Sequence, residues 1–140
     1  MVDRTQNQTN YRSPRPGLRN VGSYQASGHP YITGSLIGDG QEKKISFPFV
    51  TKSITVIASG STNNPLIGIT FNTTSSAGRV MAGNHAIVMD SSGDSMTFDV
   101  KCKEIFIHAK NATSGFELYA SLTNIPIESM YTLTGSGLTD

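Results

Sequence analysis

Catalysis needs nucleophiles, acid–base pairs or metal ligands at workable spacing. The candidates in this sequence are three histidines, one cysteine and three neighbouring aspartates. His29, His85 and His108 stand far apart, with no ligand-like interval to one another or to a pair of carboxylates, so they do not read as a zinc site. There is no His-Glu-x-x-His pair, no Asp-rich calcium loop and no Gly-Lys-Ser phosphate cradle. His108 alternates with Ile107 and is expected to face outward. Cys102 lies between Lys101 and Lys103, which would activate a thiol if their ammonium groups were close to the sulfur. On a strand, however, immediate neighbours point to opposite faces. Cys102 shares the parity of Met96, Phe98 and Val100 and reads as a small core residue. Asp90, Asp94 and Asp99 bracket a Ser/Gly turn at intervals that fit no calcium loop, and carboxylates at turns more often bond local amides. No residue set suggests an enzyme, a cofactor, a bound metal or a small-molecule substrate.

The elements that carry these residues read as β-structure. The chain has 140 residues, the length of one domain. Ser, Thr, Asn and Gly fill well over a third of it and only 15% is charged, a balance unlike that of a helical bundle. A net charge of +1 and recurrent apolar runs argue against disorder. No stretch approaches the roughly 20 apolar residues of a membrane span, so no membrane partner is expected. The single cysteine excludes an internal disulfide. Three Asn-x-Thr sequons, at Asn7, Asn72 and Asn111, carry little weight without a secretory signal.

From about residue 30 the hydrophobic period is two. Ile45, Phe47 and Phe49 alternate with Lys44, Ser46 and Pro48. Ile54, Val56 and Ala58 follow after a shift near Thr51-Lys52, which predicts a bend or a change of sheet. Ile67, Ile69 and Phe71 form another run, and Val80 to Met89 reads as one or two short strands. Met96 to Cys102 alternates, and the parity then flips at Ile105 and Ile107. Phe116, Leu118, Ala120 and Leu122 close the series, with Glu117, Tyr119, Ser121 and Thr123 on the other face. Turn residues separate the runs, notably Gly38-Asp39-Gly40 and Ser91-Ser92-Gly93-Asp94. This pattern predicts an all-β, single β-sandwich or jelly-roll-like domain of about seven or eight short antiparallel strands over residues 30–125. The core is thin and lacks Trp, so a homo-oligomer, a trimer for example, or incorporation into a larger assembly is expected.

Residues 1–29 form an extended basic N-terminal arm. They hold Arg4, Arg12, Arg15 and Arg19 against Asp3 alone, and the rest of the chain sums to a small negative charge. Two readings apply: a solvated terminus, or a strap that orders on a partner. In the second, Arg4, Arg12, Arg15 and Arg19 pair with acidic groups while Leu18, Val21, Tyr24 and Tyr31 fill grooves. Residues 126–140 form a C-terminal tail in which Met130, Tyr131 and Leu133 either dock or remain free. Nucleic acid is a weak candidate partner, because the body carries no basic stripe to match the arm.

Four segments carry a resemblance. They are Pro16-Gly17-Leu18 through Thr33-Gly34-Ser35, Phe47-Pro48-x-Val50-Thr51-Lys52-Ser53, Val100-Lys101-Cys102-Lys103-Glu104-Ile105, and Met130-Tyr131-x-Leu133-Thr134-Gly135-Ser136-Gly137-Leu138. Together they resemble small virion structural proteins of tailed bacteriophages, particularly phages of marine bacteria and cyanobacteria. The likeness runs in order along nearly the whole chain and rests on strand and turn patterns. It implies a non-enzymatic capsid decoration (cement) protein on the outer surface of the phage head, binding the major capsid protein and bridging its subunits. The alternative roles it implies are a tail, baseplate or capsid-fibre component, including a host-glycan-binding adhesin module.

Overall fold

The protein is described by a computed structural model covering residues 16–25, 28–59, 66–72, 86–110, 113–134 and 138. Eight strands among these residues form two four-stranded antiparallel sheets packed as a sandwich. One sheet has the order β1 (Pro30–Ile37), β8 (Ser114–Pro126), β3 (Phe49–Ser59), β6 (Ser95–Phe98). The other has the order β2 (Glu42–Ser46), β7 (Glu104–Lys110), β4 (Leu66–Thr70), β5 (Ile87–Met89). Strands consecutive in sequence lie in different sheets, except β4 and β5. The chain therefore shuttles across the core, and most crossings change which parity faces inward, although β1 and β2 both bury odd-numbered residues, Ile37 and Ile45.

Residues of period two from both sheets meet in that core. Ile54, Val56, Phe116, Leu118 and Ala120 come from one side, and Ile45, Ile67, Ile69, Ile105 and Ile107 from the other. The parity flip before Ile105 is one such crossing. The run expected from Met96 to Cys102 is not one strand: β6 ends at Phe98, and residues 99–103 pass to the opposite sheet. Met96 shares the inner face with its partner Val56, but β6 is an edge strand, and Met96 remains 39% exposed. The shift near Thr51-Lys52 is an irregularity in the β3–β8 register, whereas the change of sheet comes slightly earlier, between β2 and β3.

Two outward assignments are corrected. Thr123 is buried, because β8 is irregular beyond Leu122. Its hydroxyl donates to the Val50 carbonyl at 2.7 Å and accepts from the Ile125 amide at 3.1 Å. His108 does face away from the inter-sheet core, as its alternation with Ile107 requires, but it is completely buried along with its neighbours Phe106 and Thr70. Both predicted Gly turns form at positive φ, 76° at Gly40 and 93° at Gly93. Asp94 accepts the Ser91 amide at 3.1 Å, which is the local carboxylate–amide bond expected at such a turn.

Candidate functional site

The crossing at residues 99–103 is where both ends of the body are held. Thr51 of β3 pins it through three bonds. Its amide donates to the Cys102 carbonyl at 3.0 Å, its hydroxyl donates to the Val100 carbonyl at 2.8 Å, and the same oxygen accepts the Cys102 amide at 3.1 Å. The Phe47 amide, in the neighbouring β2–β3 crossing, donates to Lys103 at 2.9 Å. With the backbone fixed, Cys102 turns inward and its two lysine neighbours turn out.

Each lysine then ties down one chain end. Lys101 Nζ donates to the Leu18 carbonyl at 3.1 Å and lies 5.1 Å from the centre of the Tyr24 ring. Tyr24 Oη donates to that same carbonyl at 2.7 Å. Lys103 Nζ donates to the Met130 carbonyl at 3.3 Å, and Asn72 Nδ2 donates to the Leu133 carbonyl. Leu18, Tyr24 and Leu133 pack against the core, and Met130 belongs to it. Around this anchor lie two grooves that share Lys101 and Leu133 in their walls. One, of about 530 Å³, is lined by Phe71, Asp99, Val100, Lys101, Leu133 and Leu138. The other, of about 210 Å³, lies among Leu18, Arg19, Lys101, Met130, Tyr131 and Leu133.

The residues expected to act as a strap therefore divide. Leu18 and Tyr24 dock on the chain's own core, and a single helical turn, α1 (Gly22–Gln25), replaces the extended path expected there. Tyr31 lies in β1 with its ring edge-on to Phe47, centroids 5.4 Å apart. Arg19 and Val21 stay exposed, Val21 at 66%. Arg4, Arg12 and Arg15 lie outside the described residues. Sequence reasoning passed over Lys101 as a positioning residue. No local signal marks that role, because an outward lysine beside a buried residue is ordinarily satisfied by water.

Cys102 is fully buried, and its sulfur lies 3.4 Å from Thr51 Oγ1. Burial pushes its thiol up to about 11, which the Thr51 contact only partly offsets. The folded protein is expected to resist a thiol-titrating reagent at mildly alkaline pH and to react with one equivalent once unfolded. Rapid labelling of the native state would contradict this.

The other buried ionisable group is His108. The Thr70 hydroxyl donates to the Asn72 carbonyl at 2.8 Å, so at 3.2 Å it accepts from His108 Nε2–H. Nδ1 has no hydrogen-bond partner and faces Glu42 Oε2 at 3.8 Å. Desolvation lowers the histidine's pKa, and the Glu42 carboxylate opposes that in part. A depressed value means that the unfolded chain takes up the proton first. Stability is therefore fully present above the unfolded value of 6.5 and declines as pH falls from there toward the folded value. For a single proton the slope cannot exceed about 1.4 kcal/mol per pH unit. Denaturant unfolding at a series of pH values should show it in the wild type and not in His108→Gln.

Among the described residues, no group of three His, Cys, Asp or Glu side chains gathers where it could hold a metal ion, and no helix is long and apolar enough to cross a membrane. Comparison with known protein families and with curated proteins finds no match to this chain. The N-terminal segment at Leu18 and Tyr24 and the C-terminal segment at Met130 and Leu133 are thus both anchored beside the 99–103 crossing.

Proposed function

We propose that the protein is a non-enzymatic structural protein of a bacteriophage virion, a decoration protein that binds the outside of the head and bridges capsid subunits. The observation that carries this reading is the lysine-held anchor. Leu18, Tyr24 and Lys101 attach the basic N-terminal segment to the same end of the sandwich that receives the C-terminal segment at Lys103. Residues 1–15, with three of the four arm arginines, directly precede that segment in sequence. A segment of that charge next to the anchor suits binding across an acidic seam between subunits. Exposed Arg19, Val21 and Tyr131 around the anchor extend the contact surface.

A second reading, a glycan-binding tail or fibre module, is favoured by Tyr119. It is 46% exposed on an open sheet face beside Ile32, the kind of aromatic platform a sugar ring uses. Deleting residues 1–15 separates the two readings while sparing Leu18 and Tyr24, so the body stays folded. The decoration reading expects loss of particle binding. Retained binding to particles would overturn it, and binding of the truncated body to a glycan array, abolished by Tyr119→Ala, would support the alternative. Copy number in purified virions tests the same point. Decoration requires parity with the shell subunit or a simple fraction of it, and a handful of copies excludes it.

A further inference from the structure

The edge of the sheet at β1 is built to pair, and we infer that it pairs with β1 of a second copy of this chain, antiparallel, about a two-fold axis at Gly34. This goes beyond the virion reading and does not depend on it.

The His29 carbonyl accepts the Leu122 amide at 2.9 Å, so the odd-numbered residues of β1 direct their backbone groups to β8. The even-numbered ones, Ile32, Gly34 and Leu36, direct theirs away from the sheet, and among the described residues no strand pairs with that edge. The side chains of these same residues stand on the outer face, where Ile32 is 78% and Leu36 71% exposed. Natural edges of this length are commonly blunted by a charge or a covering element. Between His29 and Gly38 there is no Asp, Glu, Lys or Arg. Pro30, the first residue of β1, removes one outward donor and confines pairing to the stretch from Ile32 to Leu36.

A second β1 matches this edge. Inverted about Gly34, each Ile32 lies opposite the partner copy's Leu36, on the same face, and the outward amides and carbonyls of residues 32, 34 and 36 meet in reciprocal pairs. Gly34 keeps the axis clear of side chains. It also cannot readily be enlarged, since a Cβ there would lie 2.9 Å from the Phe116 carbonyl oxygen. Glu117, paired with Gly34 across β8, is the nearest acidic group on that face. Its counterpart in the second copy would be three strand spacings away, roughly 14 Å, beyond the screening length of physiological salt. On the other face, Lys43 Nζ bonds Ser35 Oγ at 3.1 Å, so the two copies bring these ammonium groups toward each other and added salt should strengthen the pair. The contact is one strand wide, well below the roughly 1,200 Å² of a stable interface, so the dimer is weak and concentration-dependent.

Sedimentation of the full chain, with residue-resolved amide exchange at low and high concentration, tests this. The expected result is a dimer that grows with concentration, with the Ile32, Gly34 and Leu36 amides becoming protected only in the dimer. The Tyr31, Thr33 and Ser35 amides are protected throughout. Ile32→Lys places a charge on an already exposed position and should weaken the dimer by about tenfold or more without unfolding the monomer. Tyr119→Lys, one strand further in, should leave it unchanged. Three outcomes overturn the inference: a monomer at every concentration, an oligomer whose even-numbered β1 amides stay unprotected, or protection of those amides already in the monomer. In the last case the chain covers its own edge.

Discussion

Replacing Phe47 with Ala is expected to lower the unfolding free energy by about 3–5 kcal/mol, a large part of the 5–15 kcal/mol typical of such a domain. Phe47 is 1% exposed and sits where the chain passes from β2 to β3, between the two sheets. Its ring meets the edge of Tyr31, and its amide is bonded to Lys103 of the adjacent crossing. The cost of a cavity depends on how far its walls can relax. Here they are held by the Thr51 bonds to the 99–103 crossing and by the β1–β8 ladder, so collapse is restricted. Urea unfolding of the variant gives the value directly. A loss below about 1 kcal/mol would mean that the crossing closes over the void and is softer than its hydrogen bonds imply.

Gly28→Ala should be nearly as damaging, by about 3 kcal/mol, the upper end of the usual overpacking range. A Cβ at Gly28 would lie 1.2 Å from the carbonyl oxygen of Leu122. The obstacle is backbone of a central strand, so no side-chain rotation relieves it, and the chain entering β1 must move. That movement pulls against the His29–Leu122 bond and against the docked Leu18 and Tyr24. Gly17→Ala is the matched control, because nothing lies within 4 Å of its Cβ position. Equal stability of the two variants in chemical unfolding would refute the close-approach argument.

Much of the fold was legible in the alternation of single residues. Runs such as Ile54-Val56-Ala58 and Phe116-Leu118-Ala120 are buried on one face because a strand half-covered by a second sheet selects side chains with period two. The burial of Cys102 was legible too, though for a different reason than its parity. It lies in a crossing between strands, where hydrogen bonds to Thr51 hold the backbone and decide which way the side chain turns. His108 escaped sequence reading because period two distinguishes the two faces of a strand but cannot say whether the outer face is covered.

The sequence by itself determined the all-β class, several of the strand runs, the turns at Gly40 and Gly93, and the concentration of arginine near the N-terminus, but not β1 or the end of β6 at Phe98. These are local properties, set by side-chain alternation, tolerance of positive φ and simple charge counting. Only the tertiary structure decided which sheet each strand joins, that Lys101 and Lys103 hold opposite ends of the chain at one place, and that β1 is an edge. Those depend on contacts between residues far apart in sequence, 83 positions for Lys101 to Leu18, 27 for Lys103 to Met130, and as many as 91 (Pro30 to Ser121) for the β1–β8 ladder. Such pairings are selected by the joint packing of both sheets, and no local pattern encodes them.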